Sequence, residues 1–139
     1  MSQSVNAGNP WDDVSVVIVT YNSAAVIKRC LECLDKAKHV IVIDNASDDD
    51  TCDIAKSALP SAQIVRNEKN IGLGCAVNQG FSLVKTPYAL QLNPDAMVND
   101  AAISRLCAAA ETYQTAALIA PILKSPEGLT ELYLMGPNE

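Results

Sequence analysis

Two kinds of residue in this sequence could hold a charged ligand: polar groups placed just past apolar runs, and glycines placed just before an amphipathic one. Asp95 follows Ala89-Leu90-Gln91-Leu92-Asn93-Pro94. That run reads as a buried strand stopped by Pro94, which has no N–H for a ladder and biases Asn93 toward extended backbone. Asp95 then projects from a rigid base, where a lone carboxylate can serve as a metal ligand. Asp44 ends a second apolar run and is followed by Asn45. It could accept hydrogen bonds from a ribose or from a base N–H. Thr20, Tyr21 and Asn22 close a third run. Gly72 and Gly74 permit close backbone approach ahead of a helix, whose first N–H groups can face a phosphate. Ligands of open α/β sheets bind beyond the carboxyl ends of the strands, where strand order reverses. In a doubly wound order these three strand ends face one crevice. Asp95 could there hold a Mg²⁺ or Mn²⁺ ion bridging two phosphates, since Mg²⁺ needs only one or two carboxylates when phosphates supply the rest.

Other candidate clusters read as structure. Asp48, Asp49 and Asp50 fall where a helix begins, and the helix dipole favours acids there. His39 begins a strand, and as the single histidine it argues against a Ser–His or Cys–His nucleophilic site. The five cysteines are an odd number. Cys30-x-x-Cys33 lies inside a helical pattern rather than at a strand-to-helix turn, so all five read as reduced core thiols, which favours the cytoplasm. A dinucleotide fingerprint needs Gly-x-Gly-x-x-Gly after the first strand. That turn is Thr-Tyr-Asn-Ser-Ala here, and no Walker pattern occurs.

The elements that must position these groups alternate. Strands are expected at 14–20, 39–44, 62–66 and 88–93, the first two nearly all apolar, as central parallel strands are. Between the first two runs a helix capped by Ser23, with Ile27, Cys30, Leu31 and Leu34 on one face. Ser47-x-x-Asp50 resembles a capping box opening a helix that Pro60 stops. A third helix runs from about Cys75, with Val77, Gly80, Phe81 and Val84 inward. Asn99 caps a fourth, with Ile103, Leu106, Cys107 and Ala110 inward. The apolar run 116–123 reads as a further strand, 125–128 as a turn and 129–134 as the start of another strand. Strand–helix alternation implies a mostly parallel sheet with helices on both faces.

With 139 residues and 49% hydrophobic content the chain can bury one real core. Aromatics at 4% and a net charge of -6 argue against a nucleic-acid partner. Residues 1–13 read as a flexible leader without the charge and apolar pattern of a signal peptide, and 14–139 as the domain. The longest apolar run, 116–123, is too short for a membrane span.

Four segments then occur in a telling order: Val14-Ser-Val-Val-Ile-Val-Thr-Tyr-Asn-Ser23, Val40-Ile-Val-Ile-Asp-Asn-Ala-Ser-Asp-Asp49, Asn70-x-Gly72-x-Gly74 with Asn78-x-Gly80, and Leu92-Asn-Pro-Asp-Ala96. Together they resemble the family 2 glycosyltransferases, near the rhamnosyltransferase-like branch, over about 14–123. The resemblance implies the GT-A fold, a Rossmann-like three-layer α/β sandwich, and inverting transfer of a sugar from a nucleoside diphosphate donor. It implies a nucleotide pocket lined by Thr20, Tyr21, Asn22, Asp44, Asn45, Gly72, Gly74 and Asn93, in which Asp44 reads the base by accepting from N3–H of uracil or thymine. Asp95 matches the metal-binding end of the family's Asp-x-Asp motif, with Asn93 in place of its first Asp. The cofactor implied is Mg²⁺ or Mn²⁺.

Family members continue for roughly another domain. The resemblance thus implies a GT-A unit truncated at its C-terminus, holding the donor half, with the acceptor half and catalytic base absent. The donor would be a UDP- or dTDP-sugar, dTDP-rhamnose among them, used in polysaccharide or glycoconjugate synthesis on a saccharide or lipid-linked acceptor. Such an enzyme would be cytoplasmic or peripheral at the inner face of the membrane. The alternative is a non-catalytic nucleotide-binding or scaffolding module derived from such an enzyme. An unfinished sheet edge would leave apolar surface exposed and favour a homo-oligomer.

Overall fold

The computed structural model describes residues 9–125, 127–128 and 130–131. Strands and helices alternate along the chain: β1 (Val14–Thr20), α1 (Ile27–Glu32), β2 (His39–Asp44), α2 (Thr51–Ala58), β3 (Gln63–Arg66), α3 (Leu73–Phe81), β4 (Tyr88–Leu92) and α4 (Asp100–Thr112). A short antiparallel ribbon of β5 (Leu123–Lys124) and β6 (Thr130–Glu131) follows.

The main sheet has the order β3-β2-β1-β4, and every pairing in it is parallel. All seven residues of β1 are buried, as its run of β-branched and apolar residues requires of a strand covered on both faces. One core packs Val16, Ile18, Val40 and Val42 against Ile27, Cys30 and Leu31 of α1, Ala55 of α2, and Ile103 and Cys107 of α4. On the other face Val17, Val19, Ile41 and Ile43 meet Ala76 of α3. Each fully buried aliphatic side chain contributes about 1.5–3 kcal/mol. The three-layer sandwich expected from the sequence is therefore present.

α3 lies unusually close to β1. A Cβ at Gly80 would sit 2.3 Å from Val17 Cγ1 and 3.4 Å from Ile43 Cγ1, so glycine is what lets this helix seat. Asn99 caps α4 as expected, its Oδ1 accepting from the Ala102 N–H at 2.9 Å.

Several expectations are corrected. Residues 9–13 are not a loose leader: Trp11 is fully buried, and its Nε1 donates to Asp100 Oδ1 at 2.8 Å. Residues 1–8 lie outside the described residues. The expected strand 116–123 is unpaired until Leu123, with Leu118 and Ile122 exposed, because an apolar run becomes a strand only where a neighbour completes its ladder. Among the described residues β4 is the last strand on that side of the sheet. The 125–128 turn closes as read, with Gly128 N–H donating to Ser125 O at 2.9 Å, and β6 falls within the strand expected at 129–134, of which 129 and 132–134 lie outside the described residues. Phe81 is exposed rather than inward, and so is Cys75, which is no core thiol. Ser23 does not cap α1 with its side chain; its carbonyl accepts from Val26 and Ile27 N–H, both at 3.0 Å.

Candidate functional site

β1 and β4 lie side by side although β2 and β3 intervene in sequence, so strand order reverses between them. The register aligns Thr20 with Asp44, Asp44 with Arg66, and Ile18 with Leu92. The carboxyl ends thus finish close to one level. Thr20-Tyr21-Asn22, Asp44-Asn45 and Asn93-Pro94-Asp95 all leave the sheet on that edge.

Asn93 and Asp95 form a tight turn, closed by Ala96 N–H donating to Asn93 O at 3.1 Å. Asn93 Oδ1 accepts from Gln91 Nε2 at 3.1 Å. Asp95 is exposed and has no hydrogen-bond or salt-bridge partner among the described residues. Its charge is felt beneath the turn. Burial, then neighbouring Cys33, then Asp95 push the Cys30 thiol up to about 12. The donor set tests the implied metal directly. No group of three or more His, Cys, Asp or Glu converges among the described residues. One carboxylate beside an amide fits Mg²⁺ or Mn²⁺ only when phosphate oxygens complete the shell.

Tyr21 is half exposed and Asn22 exposed at the end of β1, whereas Thr20 is buried. Thr20 Oγ1 is a buried hydroxyl without a hydrogen-bond partner among the described residues. An orphaned buried hydroxyl costs about 1–3 kcal/mol, so such groups call for an explanation.

The β2 end departs most from expectation. Asp44 is fully buried. Its Oδ1 accepts from Ser47 Oγ at 2.5 Å, and its Oδ2 accepts from Ser47 N–H at 3.1 Å and faces Arg66 Nε at 3.6 Å. Both oxygens are engaged inside the chain, so Asp44 offers no accessible face to a base in this structure. Ser47 is correspondingly not part of a capping box: no side chain caps α2. Asp49 instead accepts from the hydroxyl of Thr51, from Thr51 N–H and from Ala24 N–H. The Thr51 hydroxyl is the main reason its carboxyl is held below the usual range.

Asn45 is buried and ties β2 to the glycine loop. Its Nδ2 donates to Asn70 Oδ1 at 2.8 Å, and its Oδ1 accepts from Ile71 N–H at 3.0 Å and Asn67 Nδ2 at 3.2 Å. Asn70 Oδ1 also takes Gly72 N–H at 2.9 Å. Gly72 has φ +82, the left-handed region that disfavours other residues, and opens α3; Gly72 and Gly74 are both exposed. Asn67 and Gln79 exchange side-chain hydrogen bonds at 3.0 and 2.9 Å, fixing α3 to the β3 end. No sequence pattern marked that pair. The structure therefore joins Asn45 to the Gly72 loop and brings the β1 end to the β2 end. No hydrogen bond links the Asn93–Asp95 turn to the glycine loop among the described residues.

The chain belongs to Glycosyl transferase family 2, whose profile matches residues 15–137. It is 26% identical over 132 residues to the N-acetylglucosaminyl-diphospho-decaprenol L-rhamnosyltransferase of Mycobacterium tuberculosis, covering 84% of this chain and 43% of that protein. It is 25% identical over 133 residues to the SPbeta prophage-derived glycosyltransferase SunS of Bacillus subtilis, covering 91% of this chain and 32% of that protein. The chain thus spans less than half the length of these relatives. Its fold is the GT-A fold, shared with S. aureus TarS (TM-score 0.62, 24% identity, covering 73% of this chain and 33% of that one). Glucosyl-3-phosphoglycerate synthase from Mycobacterium tuberculosis, in complex with Mg²⁺ and UDP, is also similar (TM-score 0.60, 20% identity, 71% and 39% covered). No helix among the described residues is long and apolar enough to cross a membrane.

Proposed function

We propose that this chain binds the nucleoside diphosphate sugar donor of an inverting glycosyltransferase, in the crevice where β1 and β4 meet. The observation that carries this is the strand order β3-β2-β1-β4, which sets the polar end of β1 beside the exposed carboxylate of Asp95, unpartnered among the described residues. Such a reversal point is where open α/β sheets take ligands. In this reading Tyr21 stacks on the base, and Thr20 and Asn22 take polar groups of the nucleoside. The orphaned Thr20 hydroxyl supports a polar ligand there. Gly72, Gly74 and the first N–H groups of α3 approach the donor from the other side, held in place by Asn45. Asn93 and Asp95 would hold the divalent ion once the diphosphate is bound. The ion, when bound, neutralises charge that develops on the leaving diphosphate. The chain's own part is to fix the donor so that its anomeric carbon faces outward.

A UDP- or dTDP-sugar is the donor class proposed, with dTDP-rhamnose a specific candidate. Support comes from the rhamnosyltransferase similarity and from the UDP complex of a protein of the same fold. A lipid-linked saccharide is the acceptor class proposed, supported by the same relative's name, and the proposal places the encounter at the inner face of the membrane during cell-surface polysaccharide synthesis. Donor binding falls to these strand ends; an acceptor base is not among the residues assigned.

A thermal-shift panel tests the proposal. UDP, dTDP, GDP, ADP and CDP and their sugars are compared with and without Mn²⁺. A uridine or thymidine diphosphate should raise the melting temperature, and more so with Mn²⁺. A folded protein that no nucleotide stabilises under any of these conditions would overturn it.

A further inference from the structure

At the β2 end of the crevice both oxygens of the Asp44 carboxylate are already engaged inside the chain. Asp44 is fully buried, yet its carboxylate stands at the root of a chain of hydrogen bonds that ends on the exposed rim. Ser47 has one hydroxyl hydrogen, and the carboxylate takes it at 2.5 Å. A charged acceptor outcompetes neutral ones for that hydrogen. The Ser47 oxygen is thereby turned into an acceptor, and it receives Asn22 N–H at 2.9 Å. Asn22 in turn uses its Oδ1 to accept Asp48 N–H at 2.9 Å. Arg66, which faces Asp44, closes the other side by donating from Nη2 to Ser47 O at 2.7 Å.

The backbone shows what this network holds. Asn22 has φ 48 and Ala46 has φ 67, both in the left-handed region. Non-glycine residues stay there only where the surroundings over-determine them. Asn22 lies at the end of β1 and Ala46 at the end of β2, and Ser47 bonds to the residues on both sides. Cys52 completes the surroundings of the carboxylate; its thiol is raised by burial and then by Asp44.

We infer that Asp44 is a positioning residue: acting through Ser47, it holds Asn22 and the β1 end in the shape that receives the nucleotide. This rests on the donor-binding reading. It replaces a direct contact between Asp44 and the base with a relay of two hydrogen bonds.

The two roles separate cleanly in variants. Asp44→Asn cannot accept from both the hydroxyl and the N–H of Ser47 without placing an amide donor against one of them. Ser47→Ala removes the relay and leaves the carboxylate. UDP and CDP affinities are measured by calorimetry for both, for the double variant and for Ser47→Thr, with melting curves to confirm folding. Each single variant should weaken UDP by about tenfold, the loss of one hydrogen bond to a charged group. The double variant should be no worse than the poorer single one, because both break one chain. Ser47→Thr, which keeps the hydroxyl, should stay within about twofold of wild type. The preference for UDP over CDP should not change. An altered preference in Asp44→Asn, with Ser47→Ala binding UDP normally, would overturn the relay in favour of a base contact. Lowered melting temperatures with unaltered affinities would overturn it in favour of plain stability. A second readout needs no ligand: the Asn22 amide should shift in the NMR spectrum of both single variants and exchange faster. If wild type binds no nucleotide, the donor-binding reading fails and this amide still decides the relay. An Asn22 amide unmoved by Asp44→Asn refutes it.

Discussion

Replacing Gly80 by alanine should unseat α3. The added Cβ would stand 2.3 Å from Val17 Cγ1, against about 3.5–4.0 Å for carbon atoms in good contact. Something must therefore move by roughly 1.5 Å. Val17 is fully buried in the central strand, and a β-branched side chain has few rotamers to offer. Ile43 Cγ1 closes the other side at 3.4 Å. Overpacking of this kind costs about 1–3 kcal/mol, and the severity of the overlap places it at the upper end. Alanine returns about 1 kcal/mol through its better helix propensity. The net is about 2 kcal/mol of destabilisation, or roughly 6–10 °C in melting temperature for a domain of this size. Calorimetric or circular-dichroism melting measures it. Val17→Ala in the same chain should recover part of the loss, so that the double variant is more stable than the two single losses added together. The glycine loop hangs from the N-terminus of α3, so nucleotide affinity should fall as well. A Gly80→Ala protein that melts at or above the wild-type temperature would refute the close approach.

Three further outcomes are expected. Asp100 takes a hydrogen bond from Lys36 at 2.5 Å and one from Trp11, and in that order these hold its carboxyl below the usual range. A depressed folded-state value gives stability that is present above the ordinary carboxylate value, about 3.9, and is lost as pH falls through the lower folded value. The stability gap between wild type and Asp100→Asn in acid melts should therefore shrink below about pH 4; a constant gap would remove Asp100 from the account. Among the cysteines, exposed Cys75 should alkylate first at neutral pH, and buried Cys30, raised to about 12, should label only on unfolding; peptide mapping after brief iodoacetamide treatment decides. Asn99→Ala should cost about 1 kcal/mol in urea unfolding through loss of the α4 cap, and no loss would mean the cap contributes nothing.

Much of the sheet was legible in the sequence because its signals are local. The apolar runs of β1 and β2, the Pro94 stop after β4 and the Asn99 cap each act within a few residues. The misreadings share a cause: they depend on partners far along the chain. Trp11 looks like part of a leader until α4, some ninety positions on, supplies Asp100. The run 116–123 is apolar enough for a strand, but a strand also needs a ladder neighbour. Ser47-x-x-Asp50 has the residues of a capping box, and only the position of Asp44 shows that Ser47 is already committed. The bonds that Ser47 and Arg66 make to Asp44 are likewise set by a loop and a strand that its own spacing does not reveal. The Asn67–Gln79 exchange joins a strand end to a helix and leaves no local pattern at all. Asp95 was legible as a candidate because Pro94 both ends the strand and fixes the turn.

The donor crevice is tested most directly by titrating UDP into the protein by calorimetry, with Mn²⁺ and then with EDTA, in wild type and in Asp95→Asn. One carboxylate and one amide bind a cation poorly until a diphosphate joins them. Mn²⁺ alone should therefore give little heat, UDP with Mn²⁺ should bind wild type, and both EDTA and Asp95→Asn should weaken that binding severely. UDP affinity indifferent to EDTA and to Asp95→Asn, or tight Mn²⁺ binding without nucleotide, would contradict the account.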